Sequence, residues 1–169
     1  MKKHITWLIA TPLTLLLVAL LTYGCNTTNH ITSTTTTENI SNMPDSSEWT
    51  FTANIALPQS GRTRQITGGY DVRFSRSKLI VYLPYFGKAY SGADLFSGKS
   101  PLDFTSVDFT IERTAARKGG WNISIKPKDY KEVQSLDFTF YDNGTAYLSV
   151  SMQNRSPISF NGNVEQVRS

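Results

Sequence analysis

Apolar side chains recur at every second position through most of residues 49–152, and this period of two constrains the fold more than any other feature. Trp49, Phe51, Ala53, Ile55 and Leu57 alternate with Thr50, Thr52, Asn54 and Ala56. Tyr70, Val72 and Phe74 alternate with Asp71, Arg73 and Ser75, and Val107, Phe109 and Ile111 with Asp108, Thr110 and Glu112. The same holds for Trp121, Ile123 and Ile125, for Leu136, Phe138 and Phe140, and for Ala146, Leu148, Val150 and Met152. Successive side chains of a strand leave opposite faces, so each segment predicts a strand with one buried and one wet face. Leu79 to Leu83 is apolar throughout, the pattern of a central strand or of one beneath a covering loop. No segment keeps a helical period over ten residues.

The connections agree with antiparallel pairing. Asp142-Asn143-Gly144 supplies residues suited to a tight hairpin between 134–142 and 144–152, and Gly119-Gly120 does so between 107–114 and 121–126. Ser75-Arg76-Ser77-Lys78 is a short polar turn between 70–74 and 79–83. About eight short strands joined by hairpins predict a single all-β antiparallel domain over 49–169, either an up-and-down barrel or a β-sandwich. About two dozen inward apolar side chains, at about 1.5–3 kcal/mol each, suffice for an independent core.

The N-terminal residues read as an export segment. Lys2 and Lys3 precede a long apolar stretch, Ile5 to Leu21, which ends in Leu21-Thr22-Tyr23-Gly24-Cys25. An ordinary cleaved signal and an uncleaved anchor are the alternatives. Gly24-Cys25 resembles the end of a bacterial lipoprotein signal, so residues 1–24 are expected to be removed and Cys25 to carry diacylglycerol. Residues 25–48 then form a tether, rich in Thr and Ser, that buries too little apolar surface to order itself. The residues after Cys25 lack an acidic run resembling a surface-export signal. The expected location is the outer membrane, lipid-anchored and facing the periplasm.

Much enzyme chemistry has no residues to work with. The two histidines, His4 and His30, both precede the domain, and Cys25 is the only cysteine, which excludes a disulfide framework or a Cys-rich zinc site. Asp71, Asp108, Glu112 and Asp137 sit on outward strand positions, where pairing with Arg73, Arg113 or Lys126 is their plain account. No metal, cofactor or catalytic group is expected. The domain carries 15 bases against 10 acids without a basic cluster, so nucleic acid is not an expected partner.

Residues 84–106 interrupt the strand pattern with Tyr85, Phe86, Tyr90 and Phe96, and long loops in compact domains are often functional. Those aromatics either plug one end of the fold or help line a mouth. Tyr82, Tyr85, Phe86, Tyr90, Arg73 and Arg155 are the candidate ligand-lining residues, with aromatic faces for contact and polar groups for orientation. Arg155 has the alternative role of tying the last hairpin through its donors.

Leu83-Pro84-Tyr85-Phe86-Gly87-Lys88-Ala89-Tyr90 resembles a motif of the domain of unknown function 4251 family, envelope lipoproteins of Bacteroidota. Other blocks are similar in order: Ala56-Leu57-Pro58, Gly69 to Arg73, 102–106, 118–121, 142–144, and Asn154-Arg155 through Ile158-Ser159-Phe160 to Gly162. The resemblance spans roughly residues 49–167 and implies a lipocalin-like barrel on an envelope lipoprotein, with no established activity. The expected function is therefore non-catalytic: a β-barrel that binds a small apolar or amphipathic ligand. The alternative is a structural or interaction module, its core filled by its own aromatics, that docks an envelope protein.

Overall fold

The computed structural model describes residues 48–90, 98–117 and 119–167. The expected signal segment, Cys25, nearly all of the tether, Phe96 and Lys118 lie outside the described residues. The described residues form ten strands: β1 (Trp49–Pro58), β2 (Arg64–Gln65), β3 (Asp71–Ser75), β4 (Lys78–Tyr82), β5 (Asp103–Ser106), β6 (Phe109–Ala115), β7 (Trp121–Pro127), β8 (Val133–Phe140), β9 (Thr145–Met152) and β10 (Ile158–Gln166). All pairings are antiparallel, in the order β5-β4-β3-β1-β10-β9-β8-β7-β6, with the short β2 added to β1.

The two ends of that order, β5 and β6, are consecutive in the chain and joined by Val107 and Asp108. They act as the two halves of one broken strand. The first half pairs with β4, the second with β7, so the sheet nearly closes on itself. Counted this way the ring has about eight members, and the architecture is a barrel rather than a sandwich. The break is held by Asp129, from the β7–β8 connection. Its carboxylate accepts hydrogen bonds from the Ser106 hydroxyl, Val107 N–H (2.8 Å) and Asp108 N–H (3.2 Å). Lys128 N–H donates to the Asp108 carbonyl at 2.8 Å, and Tyr130 stacks on Phe104 at 4.1 Å.

Twenty-four apolar residues are buried among those described, and aromatic rings occupy the middle of the barrel. The Trp49 indole stacks on Phe74 at 5.2 Å and meets Phe138 and Phe140 edge-on at 5.0 Å each. Phe51 meets Phe138 at 5.7 Å. β1 thus touches β8 through the interior, which is filled by side chains.

Three features depart from the alternation. In β1 the expected inward set was Ala53, Ile55 and Leu57, but Ala56 is buried while Ile55 and Leu57 are half-buried. The pairing with β10 runs Ala53↔Gly162 and then Ile55↔Asn161, leaving Asn54 as a bulge that shifts the face by one residue. The bulge brings the Thr52 carbonyl so close to Gly162 that a Cβ there would lie 2.0 Å from it. Second, Leu79–Leu83 is not buried on both faces. Leu79, Val81 and Leu83 are buried, while Tyr82 points outward at 44% exposure. Third, Val107 and Ile111 were expected to be inward and covered, but they are 69% and 37% exposed. Val107 lies in the break, and β6 has no described strand on its far side.

Candidate functional site

The segment 83–90 is pinned to the β9–β10 connection. Tyr85 hydroxyl donates to the Ser156 carbonyl at 2.8 Å and lies 3.1 Å from the Ser156 hydroxyl. Lys88 N–H donates to Ser156 Oγ, and Ser156 N–H to the Lys88 carbonyl, both at 2.9 Å. Ala89 bridges to Arg155, and Tyr90 N–H donates to the Asn154 carbonyl at 2.8 Å. Asn154 adopts φ 60°, a left-handed conformation that asparagine tolerates better than most residues. Gly87 is required by closeness: a Cβ there would lie 2.2 Å from the Tyr85 oxygen and 2.5 Å from Ser156 Oγ. The two segments, joined at Tyr85 and Ser156, 71 positions apart, are thus one interlocked structure.

Beside this junction is an open cleft of about 560 Å³, lined by Tyr70, Tyr82 to Tyr85, Gly98 to Pro101, Asp103 and Arg155. It sits at the rim where β4 and β9 end and β3, β5 and β10 begin. Tyr70 and Tyr82 stack with ring centroids 5.3 Å apart, forming an aromatic surface beside Lys99 and Arg155. The Arg155 guanidinium lies over the Tyr85 ring at 5.7 Å, and its Nε is 3.6 Å from Glu132. Ser100 is already engaged, donating to the Leu83 carbonyl and accepting from Leu102 N–H.

Of the six residues expected to line a mouth, the structure brings together Tyr82, Tyr85 and Arg155. The Tyr85 hydroxyl is committed to Ser156, so its ring alone contributes to the cleft. Phe86 lies beneath the Arg64 guanidinium at 4.7 Å. Tyr90 is largely exposed away from the cleft. Arg73 stands on the outer face of β3, where it pairs with Asp71 at 3.1 Å. Tyr70 and Lys99 are cleft residues that sequence reasoning missed. Tyr70 was assigned to the core by its alternation with Val72, and Lys99 is a lone cation in a loop.

The other carboxylates serve the sheet. Glu112 pairs with Lys126 at 3.7 Å and Asp108 with Lys128 at 3.6 Å, while Asp137 accepts from Ser124 and Ser135 at 2.6 Å each. The Ser106 hydroxyl, followed by the Val107 N–H, holds the Asp129 carboxyl below its ordinary range. Among the described residues no group of three or more His, Cys, Asp or Glu side chains is placed to hold a metal ion.

No curated protein matches the sequence. The fold is similar to that of a crystal structure, at 1.95 Å resolution, of a DUF4251 family protein from Bacteroides eggerthii DSM 20697. The two share a TM-score of 0.54 and 14% sequence identity, over 77% of this chain and 87% of that one. Residues 32–164 match the family described as Domain of unknown function (DUF4251). With most of its length matched, including both interlocked segments, the chain belongs to the DUF4251 family.

Proposed function

We propose that this chain is a non-catalytic lipoprotein of the cell envelope that holds a small amphipathic or sugar-like ligand at the rim of its barrel. On this reading Cys25 carries the diacylglyceryl anchor in the outer membrane and the domain faces the periplasm. The carrying observation is the Tyr70–Tyr82 stack beside Lys99 and Arg155 in an open cleft of about 560 Å³. Stacked aromatic faces bind the apolar face of a ring or chain, and a guanidinium or ammonium at the edge takes a hydroxyl, carboxylate or phosphate group. The rim is favoured over the interior because aromatic side chains occupy the centre of the barrel.

The packed interior also supports a second reading, a structural or interaction module that docks an envelope protein and takes no small ligand. Native mass spectrometry of the protein purified from envelopes separates the two. Rim binding predicts a bound mass that is retained by wild type and lost from Tyr82→Ala without loss of fold. If neither protein carries a bound mass, and neither shows a thermal shift with envelope glycans or lipids, the second reading stands and the first falls.

A further inference from the structure

The open side of β6 is a strand edge whose geometry can be read residue by residue. Pro127 stands opposite Phe109 and has no N–H, so that pair cannot be hydrogen-bonded. Lys128 N–H donates to the Asp108 carbonyl and Ala116 N–H to the Gly120 carbonyl, which extends the same alternation at both ends. Thr110, Glu112 and Thr114 therefore direct their backbone groups toward β7, and Phe109, Ile111, Arg113 and Ala115 direct theirs to the other side. No described strand pairs with that side. Seven residues of regular strand, with neither a bulge nor a proline, form a pairing template of the kind that soluble proteins usually disrupt.

The side chains on this edge show the same incompleteness. Ile111 stands opposite Ile125, which is fully buried, so it shares the inner face with its neighbours Phe109 and Arg113. Those two lie against Phe74, at 5.9 Å ring to ring and 5.8 Å guanidinium to ring. Ile111 is nevertheless 37% exposed, and among the described residues no strand covers it.

We propose that the occupant of this edge is the same edge of a second copy of the chain, paired antiparallel about a two-fold axis at Ile111. In that register Ile111 meets Ile111 of the second copy. Phe109 meets its Arg113, repeating the cation–aromatic contact already made on Phe74, and Thr110 meets its Glu112. Sliding by one step either way sets Glu112 against Glu112, or Asp108 against Glu112, and like charges directly opposite are destabilising. The self-complementary register is thus also the one free of repulsion. A five-residue strand pair is small beside the roughly 1,600 Å² of a standard stable interface. The dimer therefore forms where the chain is concentrated, as on a membrane surface, and dissociates on dilution.

The test uses the full chain in cell envelopes, where Cys25 is the only native cysteine. Facing residues of a hydrogen-bonded pair have Cα atoms about 5.5 Å apart, within disulfide reach. Under mild oxidant, Ile111→Cys is expected to give a band of twice the monomer mass on a non-reducing gel. Glu112→Cys, on the other face and out of register, is expected to stay monomeric. In sedimentation of the purified full chain at rising concentration, wild type is expected to associate. Ile111→Pro, which removes an N–H directed away from β7, and Ile111→Lys are both expected to stay monomeric with the barrel folded. Equal cross-linking at both cysteine positions, no cross-linking at either, or a wild type that is monomeric throughout would overturn the dimer. So would association that appears only after residues 26–47 are deleted, because the chain's own lead-in would then be the occupant.

Discussion

At the scale of single residues, the most informative side chain is one that the sequence marked for the wrong reason. Tyr85 is conspicuous in an aromatic loop, where a free hydroxyl reads as a ligand-orienting group. Its hydroxyl is instead spent on Ser156, while its ring supports Arg155. Tyr82 is the opposite case, since its ring is exposed and stacked on Tyr70. Removing a hydroxyl that satisfies buried partners costs more than removing one in water. Tyr85→Phe is therefore expected to destabilise the domain by about 1–3 kcal/mol in denaturant titrations, and Tyr82→Phe to fall within about 0.5 kcal/mol of wild type. Equal effects would mean that Tyr85 does not lock the two segments. Residue type identified Tyr82, Tyr85 and Arg155 as site candidates. It could not tell that a partner 71 positions away would claim one of the three.

At the scale of elements, period-two patterning located the strands and the hairpins at 75–78, 116–120 and 141–144, because one buried face imposes alternation wherever a sheet covers a core. It failed where the backbone adds or drops a pairing. Asn54 is one extra residue in β1 and inverts the faces after it. The break between β5 and β6 leaves Val107 uncovered, although Val107 continues the apolar alternation. Asp129 clasps this break and carried no signal at all, since one aspartate in a Lys-Pro-Lys-Asp-Tyr turn looks solvated. The clasp has a pH signature. The folded carboxyl titrates below its ordinary value of 3.8 because Ser106 and the Val107 N–H stabilise the anion. Its contribution to stability is therefore present above about pH 4 and is lost as the pH falls through the lower folded value. Asp129→Asn is expected to lower Tm at pH 7, and the gap to wild type is expected to narrow below pH 4. A gap that stays constant across the acid range would show that the charge does not hold the break.

At the scale of the whole molecule, the two rims of the barrel are different places. β1 begins at Trp49, opposite Phe74 and Gln166, so the chain enters at the rim of the hairpin turns. The cleft lies at the other rim, where Tyr82 stands opposite Asp103. On the outer faces several cations, including Arg73, Lys126 and Lys128, are paired with carboxylates. An electrostatic hold needs clustered bases near the surface, whereas two acyl chains on one residue anchor a protein stably on their own. If the chain is the lipoprotein proposed above, its membrane association is expected to depend on Cys25 alone. Cys25→Ala is expected to move the full chain from the membrane pellet to the soluble fraction while its far-ultraviolet circular dichroism and Tm stay those of wild type, since Cys25 precedes all ten described strands in sequence. A variant that remains in the pellet with its fold intact would mean that the apolar stretch from Ile5 to Leu21 suffices as an anchor and that association does not depend on Cys25 alone. A soluble variant with a changed fold would mean that the segment around Cys25 belongs to the barrel's structure and not to a tether.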